Sequence, residues 1–233
     1  MRIEESIISY GHGYLDPSYL VIHETANPGA TAPNHVAYWR NNPDAPMTHY
    51  VCDWDDIVYH CVPDNRLCWH VGNANGFTIG IELCHAETPD GFARVWENAV
   101  EFAAWFLHSR GWGIDRLLSH NDCRVRWGGT DHTDPAGADG RSGYFGQYGK
   151  TWDDFVMEVG FEKEFMDMDG KGLARDIVDE FMYRDVKNFD SDFHANMEWR
   201  IANLGNKTQG MLGALERIET KLDKVCEDLN RLK

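Results

Sequence analysis

The chain has 233 residues and a formal net charge of -16 at pH 7, from 38 acidic and 22 basic residues. Acidic residues outnumber basic ones on both sides of residue 150 and neither part has a basic stripe, which argues against nucleic acid or anionic membrane as a main partner. The six cysteines lack disulfide-framework spacing, the N-terminus lacks a signal-peptide apolar core and no long apolar span occurs, so the expectation is a soluble cytoplasmic chain with largely free thiols.

Tyr19–His23 is a short β-rich run that reads as a buried strand, closed by the turn chemistry of Asn27-Pro28-Gly29. His23 therefore stands at a strand end, where side chains open into clefts. His23-Glu24 does not start a zincin helix: the residue four after His23 is Asn27, and no helix is signalled. Helices are predicted at 34–40 and 152–161, and further strands near 48–53, 57–61 and 116–119.

Thr78–Cys84 reads as a strand of period two, with Ile79, Ile81 and Leu83 on one face and Thr78, Gly80, Glu82 and Cys84 on the other. A carboxylate among small residues on a strand is costly to bury without a partner. Glu82 is thus either a general base acting on water or half of a buried ion pair with Arg66 or Arg124. Upstream, Trp69-His70-Val71-Gly72-Asn73 forms a Gly/Asn-rich loop and the best groove candidate among the aromatic segments. Ala93, Trp96, Val100, Ala103, Ala104 and Leu107 fall at helical spacing, and Gly111 ends that helix. Together these elements predict an α/β fold with a mixed central β-sheet flanked by helices.

Leu117-Leu118-Ser119-His120 repeats the pattern of an apolar run ending in His, and loop residues including Gly128-Gly129 follow. Asp134 precedes Pro135, whose ring biases it toward extended geometry. Zinc accepts imidazole nitrogen and carboxylate oxygen, and a catalytic site uses three protein ligands with one position open. His23, His120 and Asp134 meet that count. Cys123, three residues after His120, is the rival third ligand. His35, His60, His85 and His108 have no ligand partner at a useful spacing and read as structural or surface residues.

Beyond residue 162 the composition changes. Residues 163–195 read as a linker with a short helix at 174–183; Asp167 and Asp169 fail the EF-hand spacing. Residues 196–233 carry a heptad pattern. Ile201, Thr208, Leu215, Leu222 and Leu229 interleave with Met197, Leu204, Met211, Ile218, Val225 and Leu232. This predicts a C-terminal helical coiled-coil segment, firmest over Leu215–Leu232, and the Leu and β-branched positions lean toward a homo-oligomer of three or four chains. Gly205, Gly210 and Gly213 weaken its first half by about 1 kcal/mol each against Ala.

His23 after a strand, Thr78-Ile79-Gly80-Ile81-Glu82, Ser119-His120-Asn121-Asp122 and His132-Thr133-Asp134-Pro135, in that order, resemble the zinc-dependent N-acetylmuramoyl-L-alanine amidases. This is the type-2 family shared by bacteriophage endolysins and peptidoglycan recognition proteins, and the resemblance covers roughly residues 15–160. It implies a catalytic domain over 1–162, with Zn2+ held by His23, His120 and Asp134 and with Glu82 as acid/base. His132, where many relatives have Lys, would donate to the oxyanion. Thr48 stands where many relatives carry a tyrosine next to the His-aromatic pair, and with Trp69, His70 and Asn73 it completes the expected substrate-binding set. The implied partner is bacterial peptidoglycan, cut between N-acetylmuramic acid and L-alanine. An endolysin of this kind would reach the wall after a separate membrane-permeabilising protein releases it. The alternatives are a binding-only peptidoglycan module and a virion-associated wall-degrading protein.

Overall fold

The computed structural model describes residues 1–8 and 12–167. The expectations for residues 168–233, including the short helix and the coiled coil, lie outside the described residues. Met1–Lys163 forms a compact unit, built as a mixed α/β fold.

A six-stranded sheet runs in the order β1-β4-β3-β5-β2-β6, with β1 at Arg2–Glu5, β2 at Tyr19–Glu24, β3 at Tyr50–Cys52, β4 at Ile57–His60, β5 at Thr78–Leu83 and β6 at Leu117–Ser119. Only β3 and β4 pair antiparallel; the other neighbours are parallel. Leu20, Val21, Ile22, Ile79 and Ile81 have no solvent exposure. A central strand covered on both faces needs such a continuous apolar run rather than alternation. β1 was not expected from sequence: it is an edge strand whose Ile3 stands among charged residues, with exposed side chains on both faces.

Four helices flank the sheet or its C-terminal loops, and α5 closes the unit. α1 (Ala32–Asn41) starts with a Thr31/Asn34 capping box. α2 (Pro89–Ser109) is capped by Thr88 Oγ1, which accepts from Gly91 N, and its buried stripe includes Phe92, Val95, Trp96, Ala99, Phe102, Ala103, Phe106 and Leu107. Gly111, at φ +65°, follows its end as the sequence predicts. α3 (His120–Trp127) replaces the expected loop. Ser119 and Asp122 cap each other's backbone N–H groups, so the helix begins at the residue read as a ligand. α4 (Gly143–Gln147) is a further short helix. α5 (Trp152–Asp167) continues through residues 163–167, which were expected to begin the linker. Its buried Glu158 accepts from Trp96 Nε1 at 2.8 Å and from Lys150 Nζ at 2.9 Å, tying α5 to α2. Cys52, Cys61, Cys68, Cys84 and Cys123 are free and buried.

Gly80 sits where β5 passes closest to the side chains behind the site. A Cβ there would lie 2.6 Å from His70 Nδ1 and 2.9 Å from Thr48 Cγ2. Gly80→Ala should therefore destabilise the fold by about 1–3 kcal/mol through overpacking. Urea unfolding of both proteins checks this, and an unchanged midpoint would show that the contact relaxes freely.

Candidate metal and hydrolytic site

The site is assembled by strand register. In the parallel β2–β5 pair, His23 lies beside Glu82. In the β2–β6 pair, Ile22 lies beside Ser119, so the next residue on each chain is His23 and His120. The carboxyl ends of parallel strands are where open α/β sheets place ligands. Asp134 enters from the loop after α3, and Glu24 N donates to its Oδ2 at 3.2 Å.

Three groups converge here. His23 Nδ1 lies 2.9 Å from His120 Nδ1 and 3.4 Å from Asp134 Oδ2, and His120 Nδ1 lies 3.0 Å from Asp134 Oδ1. One ligand atom from each falls within 4.8 Å of the others. Both imidazoles are buried. Burial works against ionisation of Asp134, yet the adjoining His120 and His23 outweigh it and hold the carboxyl far below the usual carboxylate range. Burial likewise lowers the pKa of His23. Two imidazoles and one carboxylate, converging on one point, match the donor set of a three-ligand zinc site.

Glu82 lines the same cavity, and its Oε2 is buried without a hydrogen-bond partner. Burial, then the negative charges of Asp134 and Glu24, push its pKa well above the ordinary value. No arginine is among the charges acting on it, and Arg124 donates instead to Asn121 Oδ1. The expected alternative of an ion pair with Arg66 or Arg124 is thus not what the structure shows at Glu82. A cation held by His23, His120 and Asp134 would relieve the Glu82 carboxylate beside them, which fits the donor set.

The remaining predicted residues divide. His132 lines the cavity, exposed, with Nδ1 3.9 Å from Asp134 Oδ1 and its ring 5.1 Å from that of His120. Trp69, 45% exposed, stands on the cavity wall with its ring stacked 3.6 Å from His12. His70 also lines the cavity, but both its ring nitrogens are engaged, Nδ1 with His23 Nε2 at 2.9 Å and Nε2 with Thr78 Oγ1 at 3.1 Å. Thr48 departs from the expected substrate-binding role. It is fully buried and its hydroxyl donates to Tyr50 O at 2.7 Å, a local bond open to any strand threonine. Asn73 is exposed, and its Nδ2 donates to Trp127 O at 2.9 Å, tying the 3-10 turn Gly72–Phe77 to the end of α3. The rival ligand Cys123 packs in an apolar cluster with Val21, Val71, Ala74 and Leu118, and burial pushes its thiol up to about 12.

Two residues escaped the sequence reading. Thr130 Oγ1 lies 2.9 Å from His120 Nε2, orienting that ring from behind. Tyr144 lines the cavity wall while its hydroxyl accepts from Ala86 N and donates to Cys84 O. Gly128-Gly129-Thr130 signalled only a loop, and nothing local marks Tyr144. The whole cavity holds about 590 Å³, enough for a ligand of several chemical groups.

Residues 13–137 match the family described as N-acetylmuramoyl-L-alanine amidase. Over 114 residues the chain is 37% identical to N-acetylmuramoyl-L-alanine amidase CwlA of Bacillus subtilis, covering 46% of this chain and 41% of that protein. Over 175 residues it is 33% identical to Protein Ami of Listeria monocytogenes, covering 66% of this chain and 18% of that protein. The chain thus spans less than half the length of either relative. Its fold is similar to that of Staphylococcus aureus hydrolase AmiA in complex with its ligand, with a TM-score of 0.64 at 28% identity over 72% of this chain and 85% of that one. The catalytic domain of XlyA gives a TM-score of 0.55 at 26% identity over 69% of this chain and all (100%) of that one.

The raised pKa of Glu82 has a consequence for stability. A group whose folded pKa lies above its unfolded value of 4.5 contributes stability that is fully present below that value. The contribution is lost as pH rises through the folded pKa. Glu82→Gln stays neutral throughout. In chelator-treated protein it should unfold at higher denaturant than wild type at pH 8, and the difference should close by about pH 4. A variant no more stable than wild type at pH 8 would contradict the assignment of an unrelieved buried carboxylate.

Proposed function

The chain belongs to the N-acetylmuramoyl-L-alanine amidase family, and from that premise we propose that it is a peptidoglycan hydrolase. It cleaves the amide between the lactyl group of N-acetylmuramic acid and L-alanine. The observation that carries this reading is the convergence of His23, His120 and Asp134 beside Glu82, whose Oε2 is buried without a hydrogen-bond partner. The family match and the names of the relatives support the choice of bond.

His23, His120 and Asp134 would hold one zinc ion. When bound, zinc supplies Lewis acidity, acidifying water and polarising a carbonyl oxygen. The chain's own groups do the rest. Glu82 Oε2, free of hydrogen bonds, takes a proton from the attacking water and returns it to the leaving amine. His132, exposed beside Asp134, donates a ring N–H to the oxyanion that develops on the substrate carbonyl. Trp69, backed by the stacked His12, offers an aromatic face to a sugar ring or stem peptide. Thr130 and the Glu24 backbone N–H hold His120 and Asp134 in place.

With the catalytic unit at the front, the heptad spacing of residues 197–232 supports assembly into three or four copies through a C-terminal helix. Several catalytic units on one polymeric wall gain avidity without new contacts. An endolysin acting on the wall after release from the cell that made it is the role this arrangement suits.

The test is zinc content and bond cleavage on purified peptidoglycan, with wild type and Glu82→Ala run together. Wild type should hold one zinc per chain and release L-alanine amino termini without new sugar reducing ends. Glu82→Ala should keep the zinc and lose about 10²–10⁴ in rate. Wild type that binds no zinc, or frees reducing ends instead of amino termini, contradicts the reading.

A further inference from the structure

Behind His23 lies a chain of hydrogen bonds whose direction can be worked out from its far end. Thr78 Oγ1 lies 2.9 Å from Ala74 O and 3.1 Å from His70 Nε2. A carbonyl only accepts, so the single hydroxyl proton of Thr78 goes to Ala74 O. The hydroxyl oxygen then accepts, and His70 Nε2 must carry the proton it receives. His70 sits between the rings of His23 and His49, and with its one ring proton on Nε2 its Nδ1 is a lone pair. That lone pair faces His23 Nε2 at 2.9 Å, so His23 Nε2 must carry the proton between them.

The neutral His23 ring has one proton and two claimants for it, Asp134 on the Nδ1 side and His70 on the Nε2 side. The chain from Ala74 decides in favour of Nε2. His23 Nδ1 is then left as a lone pair directed at His120 and Asp134. The alignment is built in rather than incidental. Thr78, Gly80 and Glu82 share one face of β5, and parallel pairing puts His23 on the same side. His70 lies across the gap that Gly80 leaves, where a Cβ would meet its Nδ1. Its backbone is held as well: His70 N and Val71 N both donate to Asn75 Oδ1, at 2.9 and 2.7 Å.

We propose that His70, braced by Thr78, is a positioning residue that keeps the His23 proton on Nε2 and presents its Nδ1 lone pair to the metal. The proposal rests on the zinc reading above. It assigns His70 a place behind a ligand instead of the substrate contact expected from sequence. A neighbour that fixes the tautomer and angle of a metal-bound imidazole is worth about 10–100-fold in metal affinity.

The experiment has two arms on the full chain. In the first, zinc affinity is measured by chelator competition for wild type, His70→Ala, Thr78→Val and Thr78→Ser. The dissociation constant should rise about 10–100-fold in His70→Ala. It should rise by a smaller factor in Thr78→Val and stay near wild type in Thr78→Ser, which restores the hydroxyl. In the second, long-range ¹H–¹⁵N correlation spectra of metal-free wild type should show both His70 and His23 protonated on Nε2. Wild-type affinity in both His70→Ala and Thr78→Val overturns the proposal, as does a His23 ring protonated on Nδ1. A wild-type chain that binds no zinc defeats the proposed function instead, and the spectra still decide the direction of the hydrogen bonds.

Discussion

The parallel register of β2 between β5 and β6 is the constraint on which the rest of the site depends. Side chains alternate faces along a strand, so a slip of one residue would turn His23 away from the cleft. It would also swap Leu20 and Ile22 onto the face that Val21 fills. These residues have no solvent exposure, and burying each stabilises the fold by about 1.5–3 kcal/mol. The hydrophobic core therefore sets the position of the reactive groups. His23 stands beside Glu82 because β2 and β5 pair as they do, and His120 falls level with His23 because β6 ends at Ser119.

What the register assembles is electrostatically unbalanced. Asp134, Glu24 and Glu82 gather around two buried imidazoles, and Glu82 Oε2 has no donor. Such a cluster costs stability in the absence of a cation, and a fold under no other demand would replace it with apolar residues. Two carboxylates elsewhere, the buried Glu158 and the half-buried Asp64, are fully partnered. Glu158 takes donors from Trp96 and Lys150, and Asp64 is held by Tyr50 and Arg110. The contrast between these satisfied carboxylates and Glu82 is the physical mark of the site, and it is what makes a bound cation the natural completion of the cluster.

Much of this was legible in the sequence because the signals were strong and local. A continuous apolar run marked β2, period-two alternation marked β5, and helical spacing with a closing glycine marked α2. Two histidines at the ends of apolar runs, with Asp134 before Pro135, pointed to the ligands that the structure brings together. The misses have separate causes. α3 was hidden because His120 was read as a ligand after a strand, although Ser119 and Asp122 formed a capping box in plain view. β1 has too few apolar residues to signal an edge strand. Thr48 was assigned to substrate, but it is buried and spends its hydroxyl on a backbone carbonyl, a choice that depends on packing. The bond between His70 and His23 joins residues 47 apart in the chain, and no pattern in the sequence displays it.

The most direct test of the account is X-ray absorption at the zinc edge on the metal-loaded full chain. The account predicts one zinc with only nitrogen and oxygen neighbours at about 2.0–2.2 Å, including the multiple scattering of two imidazoles. It also predicts that Asp134→Ala loses one light-atom neighbour or the metal itself. A sulfur neighbour at about 2.3 Å would bring Cys123 or another thiol into the site and contradict the assignment of His23, His120 and Asp134.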